Sequence, residues 1–319
     1  VVLDESRSTE SLALVDQLRN TGNFDIVAYV ADRKALDREI RGGRAMAGVV
    51  IPPTFLSDLR RGRTAEAQVI VDAADPLASS AAMSGAVQAG AARSMAILAR
   101  TTGRGPPLDI RVRPWYNPGL RSAVYIVPGI IGVLLSVTMI LITSMSIVRE
   151  RERGTLEQLI VTPIDKTSLM LGKIVPFVLV GYVQMTVVLL LGRFLFDVPV
   201  RGSLPLLYLL TFAFIVASLG MGLFISTLVR SQTQAMQLGF FFLLPNILMS
   251  GFMFPREAMP VVAQWIGLVL PLTHFLKVLR GIILKDVGIV ELWNPTLVLI
   301  LLATLFLVLS VRRFSKRIE

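Results

Sequence analysis

Ten consecutive residues, Arg149-Glu-Arg-Glu-Arg-Gly-Thr-Leu-Glu-Gln158, pack charges of both signs between two long apolar runs. Nothing in this block is a thiol or an imidazole, so its chemistry is recognition, not bond making. A short helix bearing both signs of charge makes a specific, salt-sensitive docking surface. Leu156, Leu159 and Ile160 fall on one helical face at i, i+3, i+4 spacing, with Glu152 and Glu157 left for polar contacts. The competing reading is plainer: Arg149, Arg151 and Arg153 anchor a helix end to anionic lipid.

The flanking runs set the block's location. Ser122 to Val148 carries no charge and is long enough to cross a bilayer; Ile174 to Leu191 reads as a second span. Apolar residues make up 54% of the 319, which places the chain in the integral-membrane class. The net charge of +10 does not point to nucleic acid. Residues 1–120 are nearly balanced, with fifteen Lys and Arg against thirteen Asp and Glu. Most of the excess lies in membrane-flanking loops and the tail Arg312 to Arg317, a positive-inside pattern. With no cysteine and one histidine, His274, disulfides, thiolate metal sites and Cys nucleophiles are excluded. No span carries the pair of carboxylates that acid–base chemistry needs.

Residues 1–119 read as an α/β domain. Strands are expected at Val1–Leu3, Phe24–Val30, Met46–Ile51, Ala67–Val71 and Leu108–Val112. Helices are expected at Ser8–Arg19, Lys34–Arg41, Pro53–Arg60 and about Pro76–Ala99, the first with a capping start at Ser8-Thr-Glu-Ser11. From residue 120 a helical membrane domain follows, with spans at about 122–148, 174–191, 205–229, 232–254 and 292–311. The run 258–276 is broken by Pro260 and Pro271. Counting it as a full crossing would put the basic 149–173 loop and the basic tail on opposite faces, which the charge bias disfavours. Residues 256–285 therefore read as an outer re-entrant region of one or two short helices. The expected class is an α-helical polytopic membrane protein with an α/β extracytoplasmic domain. Exporting that domain calls for a further span before Val1, six in the full protein.

Three stretches together carry a family likeness. They are Val1 to Glu10, the charged segment 149–163, and Ser250-Gly-Phe-Met-Phe-Pro255 continuing through Pro271-Leu-Thr-His-Phe275 to Arg280-Gly-Ile-Ile283. In this order the chain resembles the permease subunits of ABC-2 type transporters, in the export subgroup with a large extracytoplasmic domain between the first two spans. The resemblance implies ATP-driven export of a drug-like, lipid or other amphipathic compound from the bacterial inner membrane. It also implies an ABC ATPase partner that carries the ATP and Mg, a second permease subunit, identical or different, and room for an envelope-spanning adaptor. Residues 149–158 would then dock in the ATPase: Arg149, Glu150, Arg151, Glu152, Arg153, Gly154, Thr155, Leu156, Glu157 and Gln158. The chain fits that division of labour. Its one Gly-Lys pair, Gly172-Lys173, has Thr167 where a phosphate loop needs glycine and Ile174 where it needs Ser or Thr.

Intramembrane polar and soft side chains are the remaining candidates. Gln184, Gln237, Asn246 and Met249 would line a substrate route; helix packing is the competing role for the amides. Gly181, Ser218, Gly220 and Gly222 permit close helix approach. A function of another class also fits a large outer domain and a charged inner loop: a non-transporting sensor or mechanotransducer that reports an external ligand inward.

Overall fold

The computed structural model describes residues 1–99, 107–154 and 166–313, in two compact units, Val1–Ser122 and Ala123–Glu319. The first is built on a mixed sheet of β1 (Val2–Asp4), β2 (Ala47–Ile51), β3 (Ala65–Asp72) and β4 (Leu108–Trp115), in that order. The β1–β2 and β3–β4 pairs are parallel and β2–β3 is antiparallel. Alternation along the strands divides the core. Val2, Val49, Ile51, Val69 and Val71 bury one face against α1 (Thr9–Asn20), α3 (Phe55–Arg60) and α4 (Pro76–Leu98). Leu3, Val50 and Ile70 bury the other against Leu36 and Ile40 of α2 (Arg33–Arg41).

Local chemistry starts these helices where expected. At α1, Ser8 and Ser11 form a reciprocal capping box, at 3.1 Å and 2.9 Å. At α4, the Asp75 carboxylate accepts from the amides of Leu77 and Ala78 at 3.0 Å and 3.3 Å. Asp75→Ala should remove about 1 kcal/mol from that helix. The expected readout is faster hydrogen exchange through the first turn of α4, restored by Asp75→Asn. One expected strand is absent. Phe24–Val30 meets β1 only at a Val2–Tyr29 bridge, with Val2 donating to Ala28 and Val30 to Val2. A β1 of three residues offers little more to pair with.

The second unit is helical: α5 (Ser122–Glu152), α6 (Lys166–Phe196), α7 (Leu204–Ser226), α8 (Gln232–Leu248), α9 (Val261–Leu268), α10 (Pro271–Lys285) and α11 (Trp293–Arg313). Among the described residues, four helices are long and apolar enough to cross a membrane: α5, α6 from Val175, α7 and α11. The α9–α10 pair, bent by 83°, makes a fifth if counted as one span. The expected 232–254 span is shorter than its apolar run, because α8 is helical for 17 residues and stops at Leu248. Beyond it, Gly251 takes φ +86°, a conformation that suits glycine and ends the helix.

α7 is the centre of this unit, and small residues bring its neighbours close. Gly181 of α6 faces Ile215, Gly220 faces Phe306 and Leu307 of α11, and Gly222 faces Ile140 and Thr143 of α5. Ser310 of α11 donates to the Gly220 carbonyl at 3.2 Å. Phe214 of α7 and Phe275 of α10 stack at 3.9 Å.

Candidate functional site

The charged block begins as a continuation of α5. Helix persists four residues past the apolar run, through Glu152, and ends where Gly154 takes φ +69° and donates to the Arg151 carbonyl at 3.1 Å. Three of its side chains turn onto the short connection between α7 and α8. Arg151 donates to the Val229 carbonyl at 2.8 Å, and Arg149 Nε to Gln232 Oε1 at 3.1 Å. Glu152 accepts from the Gln232 amide at 2.9 Å and, with its other oxygen, from Gln232 Nε2. Beneath them Val148, Val229 and Ala235 form a small apolar cluster with Met145 and Leu238.

Gln232 is the first residue of α8, where backbone N–H groups lack intrahelical partners and the helix dipole is positive. The Glu152 carboxylate therefore satisfies an open donor and complements the dipole together. Ser231 completes the cap by accepting from Gln234 at 3.2 Å. Arg153 is exposed; its backbone N–H donates to the Arg149 carbonyl at 3.0 Å. Thr155, Leu156, Glu157 and Gln158 lie outside the described residues. Gln232 and Val229 were missed as members of this site. The Ser231-x-x-Gln234 spacing does signal a helix start, but no local pattern announces a bond to a residue 80 positions away.

The candidate route residues do not assemble. Gln184 donates to Thr138 of α5 at 3.0 Å and acts as a helix–helix link, while its Oε1 has no partner. Gln237 and Asn246 stand nine residues apart on α8, half a turn out of phase. Gln237 is accordingly exposed and Asn246 is buried, with its Oδ1 unpartnered. Met249 is half-buried just past α8, where its carbonyl crowds Gly267 of α9.

At the opposite end of the unit, the start of α5 meets the end of α8. The Tyr125 hydroxyl lies 3.1 Å and 3.0 Å from the carbonyls of Gly251 and Phe252, and Arg280 donates to Gly251 at 3.1 Å. The last turn of α10 reaches the same end, since the Ile283 carbonyl accepts from Arg201 N–H, in the α6–α7 connection, at 3.0 Å. Between these points α10 goes deeper. Leu272 packs on Gly132, ten residues or about 15 Å along α5.

A model of ABC-2 family transporter proteins matches residues 1–312. The chain belongs to the ABC-2 transporter family. Its relatives agree. The probable multidrug ABC transporter permease YbhS of Escherichia coli K12 is 32% identical over 323 residues, covering 100% of this chain and 85% of YbhS. The probable multidrug permease YbhR of the same strain is 32% identical over 295 residues, 92% of this chain and 79% of its own length. The inner membrane transport permease YhhJ is 32% identical over 290 residues, 89% and 76% of the two chains. As an ABC-2 protein, this chain is a multi-pass membrane transport permease, and its family implies an ABC ATPase partner.

Proposed function

We propose that this permease is the membrane subunit of an ATP-driven exporter of drug-like, lipid or other amphipathic compounds, working as a pair of permease subunits with a separate ATPase that holds ATP and Mg. The observation that carries the reading is the clasp of Arg149, Arg151 and Glu152 on the α7–α8 connection. It joins the end that would dock on the ATPase to two further helices, so a push on residues 149–158 moves α5, α7 and α8 together. The names of YbhS and YbhR support the substrate class.

Charge orients the unit. Arg149, Arg151 and Arg153 gather with Arg230 at one end, and Arg312 and Arg313 close α11. By the positive-inside rule this end is cytoplasmic and residues 1–119 are outside. The α9–α10 pair, entering at Gly251 and leaving at Ile283 on the other end, is then re-entrant from the outer face.

The test is reconstitution of the full-length permease with the ATPase that copurifies with it. Inside-out vesicles should accumulate a fluorescent amphipathic amine on adding ATP and Mg, and ATP turnover should rise when permease is present. Uptake that ignores ATP, or an ATPase indifferent to the permease, would reject the exporter reading.

A further inference from the structure

α10 is basic: Lys277, Arg280 and Lys285 stand among its 15 residues, which include no carboxylate. Arg280 is half-buried. Its Nη1 is spent on the Gly251 carbonyl, and its guanidinium lies 4.0 Å from the centroid of the Tyr125 ring. Its Nε and Nη2 are buried and have no acceptor. A second arginine meets the same turn. The Arg256 side chain lies against Gly251, where a Cβ would stand 3.1 Å from its Cγ. Its Nη2 donates to the Gln264 carbonyl at 3.0 Å, while its buried Nε also lacks an acceptor. Neither arginine has a carboxylate partner among the described residues.

Three buried guanidinium nitrogens at one turn, without a counter-charge among the described residues, are costly to a fold and easily spared by a neutral side chain. What they match is a planar or tetrahedral anion, because the arginine fork pairs with two oxygens at once. Tyr125 provides an aromatic wall that tolerates the cation before the anion arrives. We propose that Arg280 and Arg256 form a binding site at the Gly251 turn for an anionic oxygen group, a carboxylate or a phosphate. The nitrogens are covered in this conformation, so a shift of the turn admits the ligand. Assigning the group to the transported molecule, which makes that molecule an amphipathic anion, rests on the exporter reading. Assigning it to an anionic phospholipid does not.

Equilibrium binding to the full-length permease in phosphatidylcholine nanodiscs tests the site without ATP, so failure of export leaves it standing. Radiolabelled hexadecanoate and hexadecanol are the probes. The acid should bind about tenfold more tightly than the alcohol. Arg280→Gln should abolish that preference at unchanged hexadecanol affinity, which also reports an intact fold. Arg280→Lys should retain part of it, and Arg256→Gln should reduce it. Phosphatidylglycerol added to the nanodiscs separates the sources. Competition with hexadecanoate in wild type but not in Arg280→Gln identifies a lipid headgroup; preference without competition identifies cargo. Equal affinity of wild type for acid and alcohol, or a preference that survives Arg280→Gln, overturns the proposal.

Discussion

Glu152→Lys should cut ATP-dependent export about tenfold while the permease still accumulates in the membrane. The Glu152 carboxylate accepts from both the backbone and the side chain of Gln232, at the positive end of α8. A lysine supplies no acceptor, repels the helix dipole and adds a second cation beside Arg149. The α7–α8 connection then loses its strongest tie to the end of α5, and motion imposed on residues 149–158 passes less fully to α8. Gln232→Ala distinguishes this clasp from a surface that only docks. Gln232→Ala removes the side-chain partner of Glu152 and Arg149, keeps the backbone donor and leaves the charged block unaltered, so a pure docking role predicts normal export. The clasp predicts a loss in the same direction as Glu152→Lys, and the double variant should fall short of the sum of the two. Vesicle transport assays at matched protein levels decide between them; normal export by Gln232→Ala would leave only docking.

The second large effect belongs to the crossing of α5 and α7. A Cβ at Gly222 would stand 2.8 Å from the Ile140 carbonyl oxygen and 3.0 Å from Thr143 Cβ. The obstacle at Ile140 is backbone, which cannot step aside as a flexible side-chain tip does. Gly222→Val must part the two helices and should cost about 1–3 kcal/mol. The purified permease in detergent should show a lower thermal midpoint, followed by loss of the monodisperse size-exclusion peak. Gly172→Ala is the control. Among the described residues, nothing beyond its own helix comes within 4 Å of a Cβ there, so the midpoint should hold or rise slightly. A Gly222→Val protein as heat-stable as that control would mean that the helices do not touch at this glycine.

Much of this architecture follows from neighbours in the chain. The charge-free run from Ser122 to Val148 has to be helical in a bilayer, because only a helix satisfies its backbone internally. Ser8 and Ser11 fix the start of α1, and the alternation of Val49, Val50 and Ile51 divides one strand between two cores. Pro260 and Pro271 break the run after α8 into the short helices α9 and α10. The recurring small residues of α7 announce close packing before any partner is known.

Other features belong to no local pattern. Nothing near residue 232 tells that Gln232 receives Glu152, or that Gly251 gathers Tyr125 and Arg280 around one carbonyl. Asn246 and Gln237 look alike as amides in one apolar helix, yet one is buried and the other exposed. The end of α8 likewise escaped hydropathy, since Met249 to Phe254 is as apolar as a span but turns at Gly251. Hydropathy and periodicity are sums over adjacent residues and so determined which segments are apolar enough to enter a membrane and which faces are apolar. Hydrogen bonds between helices depend on separations of a few tenths of an ångström between distant positions. Only the packing of α5, α7, α8 and α10 against one another decided those.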